Sequence, residues 1–168
     1  VEEIRASAGN VIPMQIDASS SSKVAFTQYE PIGVVAAVSA FNHPFNLIVH
    51  QVAPAVATGC PVLVKPAAAT PLSCKAFIEI LEEAGLPEGW AQMVLPEEID
   101  LATEMVSDPR VAFFSFIGSS RVGWMLKSKL APGTRCALEH GGVAPVIVSA
   151  DTDLDDVVER VAKGGFYH

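Results

Sequence analysis

The stretch from Pro31 to Pro66, PIGVVAAVSAFNHPFNLIVHQVAPAVATGCPVLVKP, leaves this chain few ways to fold. Ile32 to Ser39 is a continuous apolar run, the pattern of a strand covered on both faces. The helix after it starts at Asn42 or Pro44, since proline is tolerated in a first helical turn. Phe45, Val49, Val52, Ala53 and Val56 recur at helical spacing until Gly59 stops the pattern. Pro61 to Val64 is a second buried strand, closed by Lys65.

The alternation continues along the chain. Thr70-Pro71 offers a capping hydroxyl before a proline at the first helical position. Leu72, Ala76, Phe77, Ile80, Leu81 and Ala84 then form one apolar stripe, ended by Gly85 and Pro87. Ala91 to Leu95 reads as a third strand, Ile99 to Val106 as a short helix and Arg110 to Phe116 as a fourth strand. Ser119 or Ser120 begins a helix through Leu130. Thr134 to Leu138 and Pro145 to Ser149 read as two more strands, and Asp151 to Ala162 as a last helix that buries Leu154, Val157, Val158 and Val161. This order specifies a doubly wound, Rossmann-like parallel α/β sheet with right-handed crossovers; the order of strands within the sheet is not readable. Residues 1–29 carry no such pattern. VAFTQYE alternates as an exposed strand would after the polar run ASSSSK, so this part is expected to be a short N-terminal arm or edge hairpin suited to an oligomer contact. Residues 30–168 are expected to form the sheet domain.

Charge and cysteine usage exclude several functions. The net charge is −8, and no block of five Lys or Arg occurs, which speaks against nucleic acid or an anionic membrane surface as partner. Three cysteines without regular spacing fit a reducing compartment and no disulfide framework. None of Cys60, Cys74 and Cys136 has the spacing of a metal site, so no metal is expected. His43, Asn46, His50 and Gln51 interrupt the one long apolar stretch, so no membrane span is expected. The first residues are acidic, without an apolar signal core, and a cytoplasmic protein is the expectation.

Chemistry-bearing residues gather where strands end. Asn42 lies in the turn after the first strand, where its amide either caps the helix or donates to a ligand oxygen. Lys65, after Val62-Leu63-Val64, either is solvated or reaches a ribose hydroxyl or phosphate. In IGSSRVG, Gly118 and Gly123 flank small hydroxyl residues, with Ser119 at a helix N-terminus. That is a seat for pyrophosphate, although glycines at such a turn also have a purely steric use. Trp124 stands where a Walker A loop needs lysine, and no G-x-G-x-x-G follows the first strand. Glu139 ends a strand before Gly141-Gly142, either as a general base or as an edge glutamate bonded to its turn.

The ordered set FNHPFN, VLVKPAAATPLS, EAGLPEG, FIGSSRVG and LEHGG, spread over residues 26–168, resembles the cofactor-binding domain of the aldehyde dehydrogenase superfamily. The resemblance implies NAD- or NADP-dependent oxidation of an aldehyde to an acid, through a cysteine thiolate, hydride transfer and hydrolysis of a thioester. Carried over by motif, Asn42 resembles the asparagine that helps hold the oxyanion, and Glu139 the glutamate that activates the deacylating water. Lys65 resembles the lysine on the adenosine ribose, and Ser119 the hydroxyl on the pyrophosphate, between Gly118 and Gly123. Val38 and Ser39 match the strand end beside the dinucleotide, and Phe41 replaces the more usual tryptophan. Three departures stand out. No cysteine here occupies the nucleophile's motif; Ala68 replaces a frequent ribose-gripping glutamate; Leu95-Pro96-Glu97-Glu98 replaces a glycine-rich turn. The chain is therefore expected to be a piece of a longer, homo-oligomeric enzyme, without its catalytic-cysteine domain and inactive by itself. The alternative from a different class is a non-catalytic binding or interaction module on a dinucleotide fold.

Overall fold

A computed structural model describes residues 9–97, 99–142 and 144–167. Residues 1–8 of the expected arm, and Glu98 of the turn after the third strand, lie outside the described residues. Val11–Ile12 (β1) and Ala25–Phe26 (β2) pair antiparallel as a short ribbon. The main sheet follows: Val34–Val38 (β3), Val62–Lys65 (β4), Ala91–Met93 (β5), Val111–Gly118 (β6) and Arg135–His140 (β7). Its order is β5-β4-β3-β6-β7, with every neighbouring pair parallel. The connecting helices are Pro44–Ala57 (α1), Leu72–Glu83 (α2), Ile99–Ser107 (α3) and Ser120–Lys127 (α4), with Leu154–Phe166 (α5) after the last strand.

The sheet separates two cores. On one face Val35 and Ala37 of β3, with Val62 and Val64 of β4, pack against Ile48, Val52 and Ala55 of α1 and Cys74 and Ile78 of α2. On the other, Ala36 and Val38 join Val111, Phe114 and Phe116 of β6 under Val106 of α3 and Leu126 of α4. The central strand thus gives alternate residues to opposite layers, and each fully buried Val, Ile or Phe contributes about 1.5–3 kcal/mol through removal from water.

Several expectations need correction. In α1 the buried side is Ile48, Gln51, Val52 and Ala55, while Phe45 is exposed. That helix is apolar nearly all round, so periodicity alone did not select its inner face. In α2, Leu72 and Ile80 are exposed, whereas Cys74 and Ile78 are buried with Phe77 and Leu81 packed beside them. Thr70 does not cap α2. Its hydroxyl is buried without a partner, and Pro71 is the flanking residue. Nor does Asn42 cap α1, which starts at Pro44 behind His43 with no side-chain cap.

The largest differences come last. Pro145–Ser149 forms no strand; Ile147 is 92 % exposed, and this run meets no neighbouring strand that would complete its ladder among the described residues. α5 begins at Leu154 with Asp153 as its cap, and none of its residues is buried: Leu154 is 64 % and Val158 65 % exposed. Its apolar stripe is real, but no described element covers it.

Candidate functional site

After β3 the chain moves outward through β4 and β5, then returns to place β6 against the other side of β3. The direction of winding reverses between β3 and β6, and in open α/β sheets the crevice at that reversal, beyond the carboxyl ends of the strands, holds ligands. Registers fix which residues meet there. Val38 pairs with both Lys65 and Phe116, Ile117 pairs with Glu139, and Gly118 with His140. All of the strand-end residues singled out from the sequence therefore lie along one rim.

They do not all share one face. Lys65 follows Leu63 in the β4 alternation and points to the α3/α4 side, away from Val62 and Val64. It lines a cavity of about 500 Å³ with Val38, with Ala102 and Thr103 of α3, and with Arg121, Val122, Met125 and Leu126 of α4. The half-buried ammonium donates to the Pro66 carbonyl at 3.2 Å, and burial pushes its pKa below the ordinary lysine value.

The β6–α4 turn flanks this cavity. Ser119 precedes α4 with extended backbone, is exposed, and makes no capping bond with its hydroxyl, while its carbonyl accepts from Gly123 N at 3.0 Å. A Cβ at Gly123 would lie 2.8 Å from His140 Cδ2 and 2.9 Å from a Phe116 ring carbon, so only glycine lets α4 settle this close to β6 and β7. A Cβ on Gly118 would meet the Phe116 ring at 2.8 Å. Both glycines thus have the steric use, and its effect is to bring the free N-terminus of α4 down to the rim.

Glu139 takes the opposite side. Its neighbour His140 packs edge-on against Phe116 and Trp124, centroids 6.5 and 5.6 Å away, on the α3/α4 face. Glu139 lies with Ala137 and Ser115 along a cavity of about 470 Å³ that also meets His50, Gln51 and Ile117. Among the described residues no helix covers β7 on this side, and Arg135, Ala137 and Glu139 are all exposed. Phe41 and Asn42 are exposed in the turn between β3 and α1 and line neither cavity. The structure thus brings Val38 and Lys65 together beside Gly118, Ser119 and Gly123, and separates Glu139 from them by the thickness of the sheet.

Two features of the rim escaped sequence reading. Gln51 is buried on α1, and its Nε2 lies 3.2 Å from the Val38 carbonyl and 3.1 Å from both the carbonyl and the hydroxyl of Ser115. One amide therefore ties α1 to β3 and β6 where the winding reverses. A polar residue among Ile48, Val52 and Ala55 was the available signal. The second is Arg121, which follows the two serines of the turn and faces the same cavity as Lys65. Buried polar atoms remain unpartnered here too: Gln51 Oε1 and Ser39 Oγ, the latter at the end of β3, where Ser39 N donates to the Lys65 carbonyl at 3.0 Å. Among the described residues no group of three or more His, Cys, Asp or Glu could hold a metal.

A family model described as the aldehyde dehydrogenase family matches residues 1–168. The 3-sulfolactaldehyde dehydrogenase of Priestia megaterium is 36 % identical over 165 residues, which are 98 % of this chain and 34 % of that protein. Two solved structures superpose closely. The NADP-dependent glyceraldehyde-3-phosphate dehydrogenase of Bacillus halodurans, complexed with NADP, has TM-score 0.86 and 34 % identity over 98 % of this chain and 35 % of its own. An aldehyde dehydrogenase of Mycobacterium tuberculosis, complexed with NAD+, has TM-score 0.75 and 36 % identity over 88 % of this chain and 29 % of its own. The chain spans about a third of the length of the relatives it matches.

Proposed function

Because this chain belongs to the aldehyde dehydrogenase family, we propose that it is the cofactor-binding portion of an NAD(P)-dependent enzyme that oxidises an aldehyde to a carboxylic acid. The observation that carries the reading is the shared position of Lys65 and the α4 N-terminus at the winding reversal between β3 and β6. The residues present fit a dinucleotide. Lys65 offers a charge for the adenosine ribose, and the turn of Gly118, Ser119 and Gly123 offers free N–H groups and a hydroxyl for the pyrophosphate. Val38, Ser39 and Phe41 would border the dinucleotide at the strand end, and Ser39 has a buried hydroxyl still lacking a partner. A bound NAD or NADP would supply the hydride acceptor for the oxidation. Asn42 is the amide donor toward the oxygen that gains negative charge. Glu139, an exposed carboxylate on the open face of β7, accepts a proton from the water that releases the acid.

No cysteine among these residues suits the nucleophile. Cys60 and Cys74 are buried, the Cys74 thiol is pushed up to about 11 by burial, and Cys136 lies within β7 under the α4 side. We therefore read residues 30–168 as the cofactor domain, preceded by an arm over residues 1–29, and the 168-residue chain as inactive alone. The three free thiols suit a reducing, cytoplasmic setting, and the exposed Val11, Val24 and Phe26 around the β1–β2 ribbon suit a homo-oligomer contact.

Calorimetric titration of the chain with NAD and NADP tests the reading. Saturable heat supports it, and silence at millimolar ligand would make the chain a non-catalytic module. Propanal oxidation above a blank by the isolated chain would overturn its inactivity.

A further inference from the structure

The cavity between α3 and α4 contains two cationic side chains, Lys65 and Arg121, and no carboxylate among the described residues. This is unusual in a chain of net charge −8. Of the described acids on and just after α3, Glu104 lines a separate cavity near β5, Asp108 is bound to Arg110, and Asp100 in the first turn does not line this cavity. Neither Lys65 nor Arg121 enters an ion pair among the described residues. Ala68, exposed and three residues beyond Lys65, supplies no acid either. Apart from Thr103 of α3, the remaining wall is apolar, from Val38, Ala102 and the α4 residues Val122, Met125 and Leu126.

A ribose that bears only hydroxyls is best gripped by an acceptor, commonly an Asp or Glu. A phosphate on that ribose reverses the requirement. It adds a charge of about −1.5 to −2 and strong acceptor oxygens, and a guanidinium meets those oxygens with two parallel N–H bonds where an ammonium contributes a point charge. Burial already disfavours the Lys65 ammonium, so a dianion entering the cavity relieves a cost present in the free chain.

We propose that Arg121, acting with Lys65, selects a dinucleotide carrying a 2′-phosphate, so that this chain takes NADP in preference to NAD. The inference rests on the reading that the adenosine half of the cofactor enters the α3/α4 cavity. Arg121 is then a specificity-determining residue, placed by the first turn of α4, while Lys65 serves either cofactor.

The test is calorimetric titration of the 168-residue chain with NADP and NAD, and with adenosine 2′,5′-bisphosphate and AMP as a second pair. The 2′-phosphorylated member of each pair should bind about tenfold tighter or more, the effect of a charge-assisted contact. Arg121→Ala should reduce that ratio to about twofold or less, and Arg121→Lys should retain part of it. The preference should also weaken with added salt. Arg121 is exposed, and an unchanged thermal midpoint would show that its variants fold. Equal affinity within each pair, a preference for NAD, or an unchanged ratio in Arg121→Ala would overturn the preference and leave the cofactor reading standing. Failure to bind any of the four nucleotides would overturn both.

Discussion

The two faces of the sheet use polar residues in opposite ways. On the α1/α2 face, the buried amide of Gln51 is engaged by the chain itself, through Val38 and Ser115. On the α3/α4 face, Lys65 and Arg121 line a cavity to which no carboxylate among the described residues contributes. A buried donor satisfied from within holds elements together, and a cation without a counter-ion is available to an anion from outside. The first should register in stability and the second in affinity.

The largest effect is expected away from both polar sites. Phe114 is fully buried at the centre of the α3/α4 core. Phe114→Ala should cost about 3–5 kcal/mol in urea unfolding, and a loss below about 1 kcal/mol would mean that this face is less closely packed than it looks. Gly123→Ala comes next. Its methyl would press on His140 and Phe116, so it should destabilise by about 1–3 kcal/mol and also weaken dinucleotide binding, since α4 must back away from the rim. Full affinity in that variant would separate the position of α4 from the cofactor site.

The contrast itself is tested by a pair of variants. Gln51→Ala should lower stability by about 1–2 kcal/mol through the lost amide bonds. Lys65→Ala should leave the unfolding midpoint unchanged or raised, because a charge disfavoured by burial is removed, while dinucleotide affinity falls about tenfold. The reverse pattern, with Lys65 stabilising and Gln51 controlling affinity, would break the comparison. The smallest effect belongs to Asp108, on the turn that enters β6 far from the rim. The Arg110 side chain bonded to it holds its carboxyl at about 2, below the usual 3.8. A carboxyl lowered by folding stabilises above its unfolded value, and that contribution disappears as the pH falls through about 2. Asp108→Asn should therefore melt slightly below the parent at pH 5 and level with it at pH 2.

Much of this arrangement was legible. Continuous apolar runs revealed buried parallel strands, and Lys65, Ser119 and Glu139 were placed at the rim because each directly follows or ends such a run. The winding order was not, since β3 to β7 resemble one another and nothing local says that β6 returns beside β3. The two-face division was not drawn either, although it follows from alternation once strand ends are known to a single residue. α1 hid its inner side because both of its sides are apolar, and Gln51 was hidden with it. Pro145–Ser149 and α5 show the converse limit. Their patterns announce burial, but a pattern records only what a segment is suited to meet, and no described element meets them.

Glu139 and His140 are adjacent in β7 yet serve opposite sides of the sheet. Removing one residue upstream within that strand would exchange them, sending the imidazole into the open groove and the carboxylate in among Phe116 and Trp124. Changes in chain length can accumulate in the turn at 131–134, but from Arg135 to His140 the spacing is itself heritable information, as binding as the identity of either side chain.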